Sequence, residues 1–90
     1  DDKTAVKWYT LAAEQGNADA QNNLGLMYAK GDGVIKDNVY AHMWWNIAAS
    51  NGNKYGRQSR DDVAKKMTPS QIEKAQDLAR ECVRKKYKGC

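Results

Sequence analysis

The sequence predicts an all-α fold: an α/α superhelix, or solenoid, of antiparallel helix pairs with about five helices. One reason is composition, because the 90 residues contain no Phe and a single Pro, which favours helix throughout. Another is an internal repeat, since self-similarity at a period of about 20 to 50 residues is typical of solenoids. A shift of 36 residues superimposes Ala5, Trp8, Ala12, Ala13, Gly16 and Asn17 on Ala41, Trp44, Ala48, Ala49, Gly52 and Asn53.

The first helix is predicted over residues 3–15. Ala5, Trp8 and Ala12 follow the i, i+3, i+7 spacing of one helix face, so we expect Trp8 to point into the core. Gly16 suits the position just after the helix, where a residue in the left-handed conformation ends it without steric cost.

The second helix is predicted over residues 18–30, with Ala20, Leu24 and Tyr28 on its core face. Gly25 lies beside that face, where a glycine costs about 1 kcal/mol relative to alanine in a helix interior. The missing side chain therefore predicts that another helix packs closely against this position.

The third helix is predicted to begin after a cap at Asp37 or Asn38 and to end near Ser50, because Gly31 and Gly33 interrupt the preceding helical pattern. Its predicted core face consists of Ala41, Trp44, Trp45 and Ala48. The tryptophans of the repeat lie on packing faces, so we predict core side chains rather than an exposed aromatic platform for a ligand.

The fourth helix is predicted over residues 57–67, and the fifth begins at Pro69. Thr68 at the N-cap, Pro69 at the first helical position and Gln71 two residues later form a capping-box pattern. The predicted inward residues of the fifth helix are Ile72, Ala75, Leu78, Ala79, Cys82 and Val83. Both helices depart from the repeat pattern, as terminal repeats do.

The repeated positions resemble the Sel-one-like repeat (SLR) family, a relative of the tetratricopeptide repeats. The matching pattern is Ala18-x-Ala20-Gln21-x-x-Leu24-Gly25-x-x-Tyr28-x-x-Gly31-x-Gly33-Val34-x-x-Asp37, followed by Ala41-x-x-Trp44-Trp45-x-x-Ala48-Ala49-x-x-Gly52. The resemblance implies one repeat domain over residues 1–90. In that domain, residues 1–16 are the second helix of a truncated repeat, 17–52 a complete repeat and 53–90 a degenerate C-terminal capping repeat. The chain is accordingly expected to be a fragment of a longer protein.

The resemblance also implies a scaffold or adaptor that binds proteins or peptides, without catalysis and without a cofactor. The alternative is a secreted hydrolase-like member of the family acting on β-lactam or cell-wall substrates, which would need a convergent Ser/Lys or Glu site. His42, the only histidine, is predicted to be solvated or flanking, and with no second ligand one turn away it does not predict a metal site. Asp61 and Asp62 are interpreted as a helix-dipole and solubility feature.

A partner-binding surface is predicted on the second helix, opposite its core face. The residues are Asn22, Asn23, Leu26 and Lys30, and Leu26 is an apolar residue within this polar row. In a solenoid the first helix of each pair usually lines the concave surface. We therefore hypothesise that these four residues contribute to a peptide-binding groove.

Cys82 and Cys90 are spaced like the bridges of the secreted, cysteine-rich branch of the same family. The resemblance implies a Cys82–Cys90 disulfide, and with it a bacterial protein exported to the periplasm or secreted. The alternative is two unrelated thiols in a cytoplasmic protein.

The net charge of +4 resides in the C-terminal tail, because residues 1–81 contain eleven basic and eleven acidic side chains. A short basic tail after a helix favours a dipole interaction over nucleic-acid binding, which is not expected. No apolar run approaches the roughly 20 residues that span a bilayer. The first helix lacks an upstream partner, which predicts dimerisation through its exposed flank.

Overall fold

A computed structural model describes all 90 residues and contains five α-helices and no β-strand. The helices are α1 (Asp2–Ala13), α2 (Ala18–Lys30), α3 (Asn38–Ser50), α4 (Gly56–Ala64) and α5 (Pro69–Arg84). The predicted all-α class and the number of helices are therefore confirmed. The largest difference in helix bounds concerns α4, which ends three residues earlier than predicted.

The helices begin where the sequence places capping side chains. Asn17 accepts a hydrogen bond from the backbone N–H of Ala20 at 2.9 Å at the start of α2. Asn53, one period later, accepts from the backbone N–H of Gly56 at 3.0 Å at the start of α4. The capping box of Thr68 at the start of α5 is confirmed, with both reciprocal hydrogen bonds present. These side chains satisfy N–H groups that a helix leaves unpaired in its first turn.

α3 is the central helix of the fold. It packs against α2, α4 and α5, whereas α1 packs against α2. Seven of the 13 residues of α3 are buried, namely Ala41, His42, Met43, Trp44, Trp45, Ile47 and Ala48. The prediction of Trp44 and Trp45 as core residues is confirmed.

Three predictions of side-chain environment are wrong. Trp8 is 64% exposed because no helix covers its side of α1, and Val83 is 48% exposed on α5. His42, predicted to be solvated or flanking, is only 3% exposed because α3 is covered on several sides. Helical spacing identifies a face of the helix, but burial depends on which neighbours cover that face.

Close packing of α3 depends on glycines in the helices next to it. A Cβ atom at position 25 would lie 2.7 Å from the indole ring of Trp45, so the predicted close approach at Gly25 is confirmed. A Cβ atom at position 56 would lie 2.7 Å from the carbonyl oxygen of Trp45. Both distances are too short for a carbon atom, so these two glycines allow α2 and α4 to approach α3.

The last two helices do not repeat the pairing of the first ones. α5 packs against α3, and α4 and α5 are not among the closely packed pairs. Ala79 and Cys82 of α5 join the main core cluster together with Leu24 of α2 and Met43 of α3. α5 therefore closes one side of α3, and α4 packs separately against that helix.

A chain of side-chain hydrogen bonds connects the helix ends at one edge of the fold. The buried amide of Gln21 donates to the carbonyl oxygen of Ala13 at 3.1 Å and accepts from Nδ2 of Asn51 at 2.9 Å. The hydroxyl of Tyr87 donates to Oδ1 of Asn51 at 3.2 Å. The ends of α1 and α3, the start of α2 and the C-terminal tail are thereby joined.

The C-terminal tail folds back over the end of α5. Cys82 and Cys90 form a disulfide with their Cα atoms 5.6 Å apart, and Cys90 packs against the main core cluster. Lys86 and Tyr87 adopt positive φ angles of 56° and 68°, which reverse the direction of the chain after the helix. The oxidation state of these cysteines in solution stays a prediction.

Candidate functional site

A groove lies between α2 and α4 and reaches down to α3. We call it the α2–α4 groove; its volume is about 250 Å³, and it is lined by Leu26, Ala29, Lys36, Asn38, Trp45, Ser59, Asp62, Val63 and Lys66. Its deepest apolar residues are Trp45 and Val63, each 6% exposed, and Leu26 is 46% exposed at its edge. The groove thus combines an apolar floor with a polar rim.

The groove exists because α2 and α4 pack on the same central helix. Gly25 and Gly56 bring the two helices close to Trp45 from either side. Ser59 and Asp62 of α4, and Lys66 in the turn that follows it, line the opposite wall from Leu26.

One of the four predicted partner-binding residues lines this groove, namely Leu26. Asn22 and Asn23 are half-buried on the same helix outside the groove, and Oδ1 of Asn22 has no hydrogen-bond partner. Lys30 forms an ion pair with Asp32 at 3.4 Å and also lies outside the lining. A role for these three residues in partner binding stays a prediction.

Sequence reasoning missed the contribution of α4 to the site. The sequence pattern predicts only a degenerate repeat for this helix and assigns no binding role to Ser59, Asp62 or Lys66, which form the opposite wall. A usable signal was present, because these positions are spaced by three and four residues on one helix face. Lys36 lies in the loop before α3, where no periodic pattern marks it.

The charged groups of the groove differ in how they are paired. Asp62 accepts a hydrogen bond from Gln58 at 2.9 Å and lies 3.8 Å from the ammonium group of Lys65. Lys36 and Lys66 are exposed and have no carboxylate within ion-pair distance. The rim therefore presents two free cations and one carboxylate that is already engaged.

A second titratable cluster lies at the α3–α4 contact. Burial lowers the pKa of His42 below its ordinary value of 6.5, and the nearby Arg60 lowers it further, whereas Asp61 acts in the opposite direction. Nδ1 of His42 has no hydrogen-bond partner. Arg60 itself donates to Oδ1 of Asn46 at 2.9 Å and thereby joins α4 to α3. His42 is thus held in its neutral form inside the fold.

The groove brings Ser59 and Lys66 onto one wall, about two helical turns apart. A nucleophilic serine needs a base within hydrogen-bond reach, and the side chain of Lys66 is exposed and forms no hydrogen bond with the Ser59 hydroxyl. No group of three or more His, Cys, Asp or Glu side chains is placed to hold a metal ion. None of the five helices has the length and apolar character that crossing a membrane requires.

A second groove of about 270 Å³ lies on the other side of α3, between α3 and α5. It is lined by Asn46, Ile47, Ser50, Ala79, Arg80 and Val83. Arg80 at its rim pairs with Asp77 of the same helix. The α2–α4 groove is the better candidate, because its two lysines have no ion-pair partner, whereas Arg80 of the second groove is paired.

The family model of the Sel1 repeat matches residues 1–17 and 18–53, together more than half of the chain. The chain belongs to the Sel1 repeat family. The matched segments contain α1, the α2–α3 pair and the turn that follows α3. Proteins built from Sel1 repeats generally mediate protein interactions.

Among solved structures, the chain is similar to that of c5321, described as a protective antigen present in uropathogenic Escherichia coli strains and displaying an SLR fold. The two share 34% sequence identity with a TM-score of 0.90, over 97% of this chain and 20% of that one. This chain thus spans about a fifth of that protein. No curated protein matches the sequence.

Proposed function

We propose that the chain is a protein-interaction scaffold that binds a segment of a partner protein in the α2–α4 groove. The observation that carries the proposal is the placement of Leu26, a half-exposed apolar side chain, above the apolar floor formed by Trp45 and Val63. A few anchor side chains that become fully desolvated in a pocket supply most of the energy at protein interfaces. Membership of a repeat family that mediates protein interactions supports the same function.

The proposal is tested by selecting binders from a random-peptide library displayed on phage and measuring their affinities by calorimetry. Leu26→Asp is expected to weaken the selected peptides at least about tenfold, because it places a carboxylate at the apolar edge of the groove. Leu11→Asp is the matched control, since Leu11 is 47% exposed on α1 and Leu26 46% exposed on α2.

Equal weakening by both variants, or by neither, would contradict binding in the α2–α4 groove. Failure of the library to yield any peptide that the wild-type chain binds would contradict the scaffold function in this part of the protein. Circular dichroism of each variant separates loss of binding from loss of folding.

We also propose that the protein functions outside the cytoplasm, in the periplasm or as a secreted protein. The support is the Cys82–Cys90 disulfide, because such bonds persist in oxidising compartments and are rare in the cytosol. Protein prepared without reductant is expected to be lighter by two hydrogen atoms and to resist thiol alkylation in intact-mass measurements. Alkylation of both cysteines would remove the support for an exported location.

A further inference from the structure

The charge of the α2–α4 groove indicates which partner segment it fits. Two lysines at its rim, Lys36 and Lys66, have no carboxylate within ion-pair distance. The one acidic side chain in the lining, Asp62, accepts a hydrogen bond from Gln58 and pairs with Lys65, just after the end of α4. A ligand entering the groove therefore meets two lysines without an ion-pair partner and one carboxylate that is paired with Lys65.

The start of α3 borders the groove next to Lys36 and contributes little net positive charge. Asn38, the first residue of that helix, lines the groove directly. The Asp37 carboxylate is engaged in capping, since its Oδ1 accepts hydrogen bonds from the backbone N–H groups of Val39 and Tyr40 at 2.9 and 3.1 Å. The partial positive charge of about half an elementary charge at a helix N-terminus is therefore offset by the Asp37 carboxylate, and the cations left for a ligand are the two lysines.

The size of the groove restricts the ligand further. Its volume of about 250 Å³ lies below the roughly 300–1,000 Å³ of pockets that enclose drug-sized molecules. Its apolar lining is confined to Leu26, Ala29, Trp45 and Val63, and the remaining lining residues, Lys36 and Lys66 among them, are polar or charged. This geometry suits an inserted apolar side chain of a peptide, with the flanking residues of that peptide placed against the cations.

We propose that the α2–α4 groove selects an acidic partner segment, in which an apolar side chain is flanked by carboxylates that pair with Lys36 and Lys66. This inference rests on the proposed function and specifies the partner chemistry. Complementary charge at an interface rim contributes mainly to specificity and association rate, and salt screens it. Discrimination between acidic and basic segments is accordingly expected to be strongest at low ionic strength.

The test uses two synthetic peptides that differ only in charge: a central leucine flanked by glutamates, and the same peptide with lysines in place of the glutamates. The wild-type chain is expected to bind the glutamate peptide at least about tenfold more tightly at low salt, a difference equivalent to one well-formed charged contact. The double variant Lys36→Glu and Lys66→Glu is expected to reverse this preference.

A matched control changes the net charge equally at a distance from the groove. Lys3→Glu with Lys74→Glu alters exposed lysines of α1 and α5 and is expected to retain the wild-type preference. If both double variants change the preference equally, overall charge rather than the groove is responsible, and the inference is wrong.

The inference and the proposed function fail in different ways. If Leu26→Asp abolishes peptide binding while reversal at Lys36 and Lys66 leaves the preference unchanged, the groove binds partners without selecting acidic ones. If peptides from the random library bind the groove but the glutamate peptide does not, the inference is likewise overturned. If Leu26→Asp and the charge reversal both leave binding unchanged, the proposed function fails as well.

Discussion

α1 and α3 are two copies of one sequence element in different surroundings. Trp8 is 64% exposed and its counterpart Trp44 is 3% exposed; Leu11 is 47% exposed and its counterpart Ile47 1%. The local sequence is similar, but α3 packs against three helices and α1 against one. In a solenoid each face is buried by a neighbouring unit, so position in the array determines how much a repeated residue contributes to stability.

The largest expected difference between α1 and α3 is the loss of stability when their equivalent tryptophans are replaced by alanine. Trp44→Ala is expected to lower the free energy of unfolding by about 3–5 kcal/mol, as for aromatic residues in cores. Trp8→Ala is expected to cost less than about 1 kcal/mol, because most of its side chain already contacts solvent. Urea unfolding followed by circular dichroism measures both values.

Equal losses for the two variants would show that α1 and α3 are buried alike in solution. If Trp44→Ala does not fold, Trp44→Leu and Trp8→Leu provide a milder version of the same comparison.

The second difference concerns how the free energy of unfolding depends on pH. At equivalent positions of the repeat, α1 has Val6 and α3 has His42. Burial and the adjacent Arg60 hold the pKa of His42 below its ordinary value of 6.5, and Asp61 offsets this in part. Below pH 6.5 the unfolded chain therefore binds a proton more readily than the folded chain. Stability is expected to fall as the pH decreases, by up to about 1.4 kcal/mol per pH unit, until the lowered pKa is reached.

The variant His42→Val places at this position the residue that α1 has, and it is expected to remove this part of the pH dependence. Urea unfolding of both proteins between neutral and mildly acidic pH gives the comparison. Parallel curves for the two proteins would mean that His42 is protonated equally in the folded and unfolded chains.

The smallest expected effect is self-association through the uncovered face of α1. We predict weak dimerisation through Trp8 and Leu11, both exposed large apolar residues on that helix. The double variant Trp8→Ser and Leu11→Ser is expected to lower the average mass measured by light scattering at high concentration. Val83→Ser is the control, because Val83 is 48% exposed on α5. A wild-type chain that remains monomeric at high concentration would contradict the prediction.

Features determined by neighbouring residues in the sequence were predictable. The bounds of α2, the end of α3 at Ser50 and the start of α5 at Pro69 all match the prediction, because caps and glycines act locally. The early end of α4 has a local cause as well. The backbone N–H groups of Lys65 and Lys66 donate hydrogen bonds to carbonyl oxygens three residues earlier in the chain. These bonds form a tight turn in place of the predicted last helical turn.

Features that depend on how helices pack could not be predicted in the same way. Periodicity places Trp8 correctly on one face of α1, but burial also requires a neighbouring helix, and none covers Trp8. The groove required knowledge that α4 lies beside α2 on α3, which brings Ser59 and Lys66 opposite Leu26. Periodicity identifies the apolar face of one helix but does not show which other helix packs against that face.

The buried amide of Gln21 has a consequence for partner choice. It bonds at one end to Ala13 and at the other to Asn51, so it fixes the distance between the ends of α1 and α3. Gln21 belongs to the same helix as Leu26, one and a half turns away, and no bound segment in the groove would contact it. We expect a shorter or longer side chain at position 21 to break these hydrogen bonds and shift α2 against α3, which would change the width of the groove. Selectivity for a partner can therefore evolve at a residue that the partner never touches.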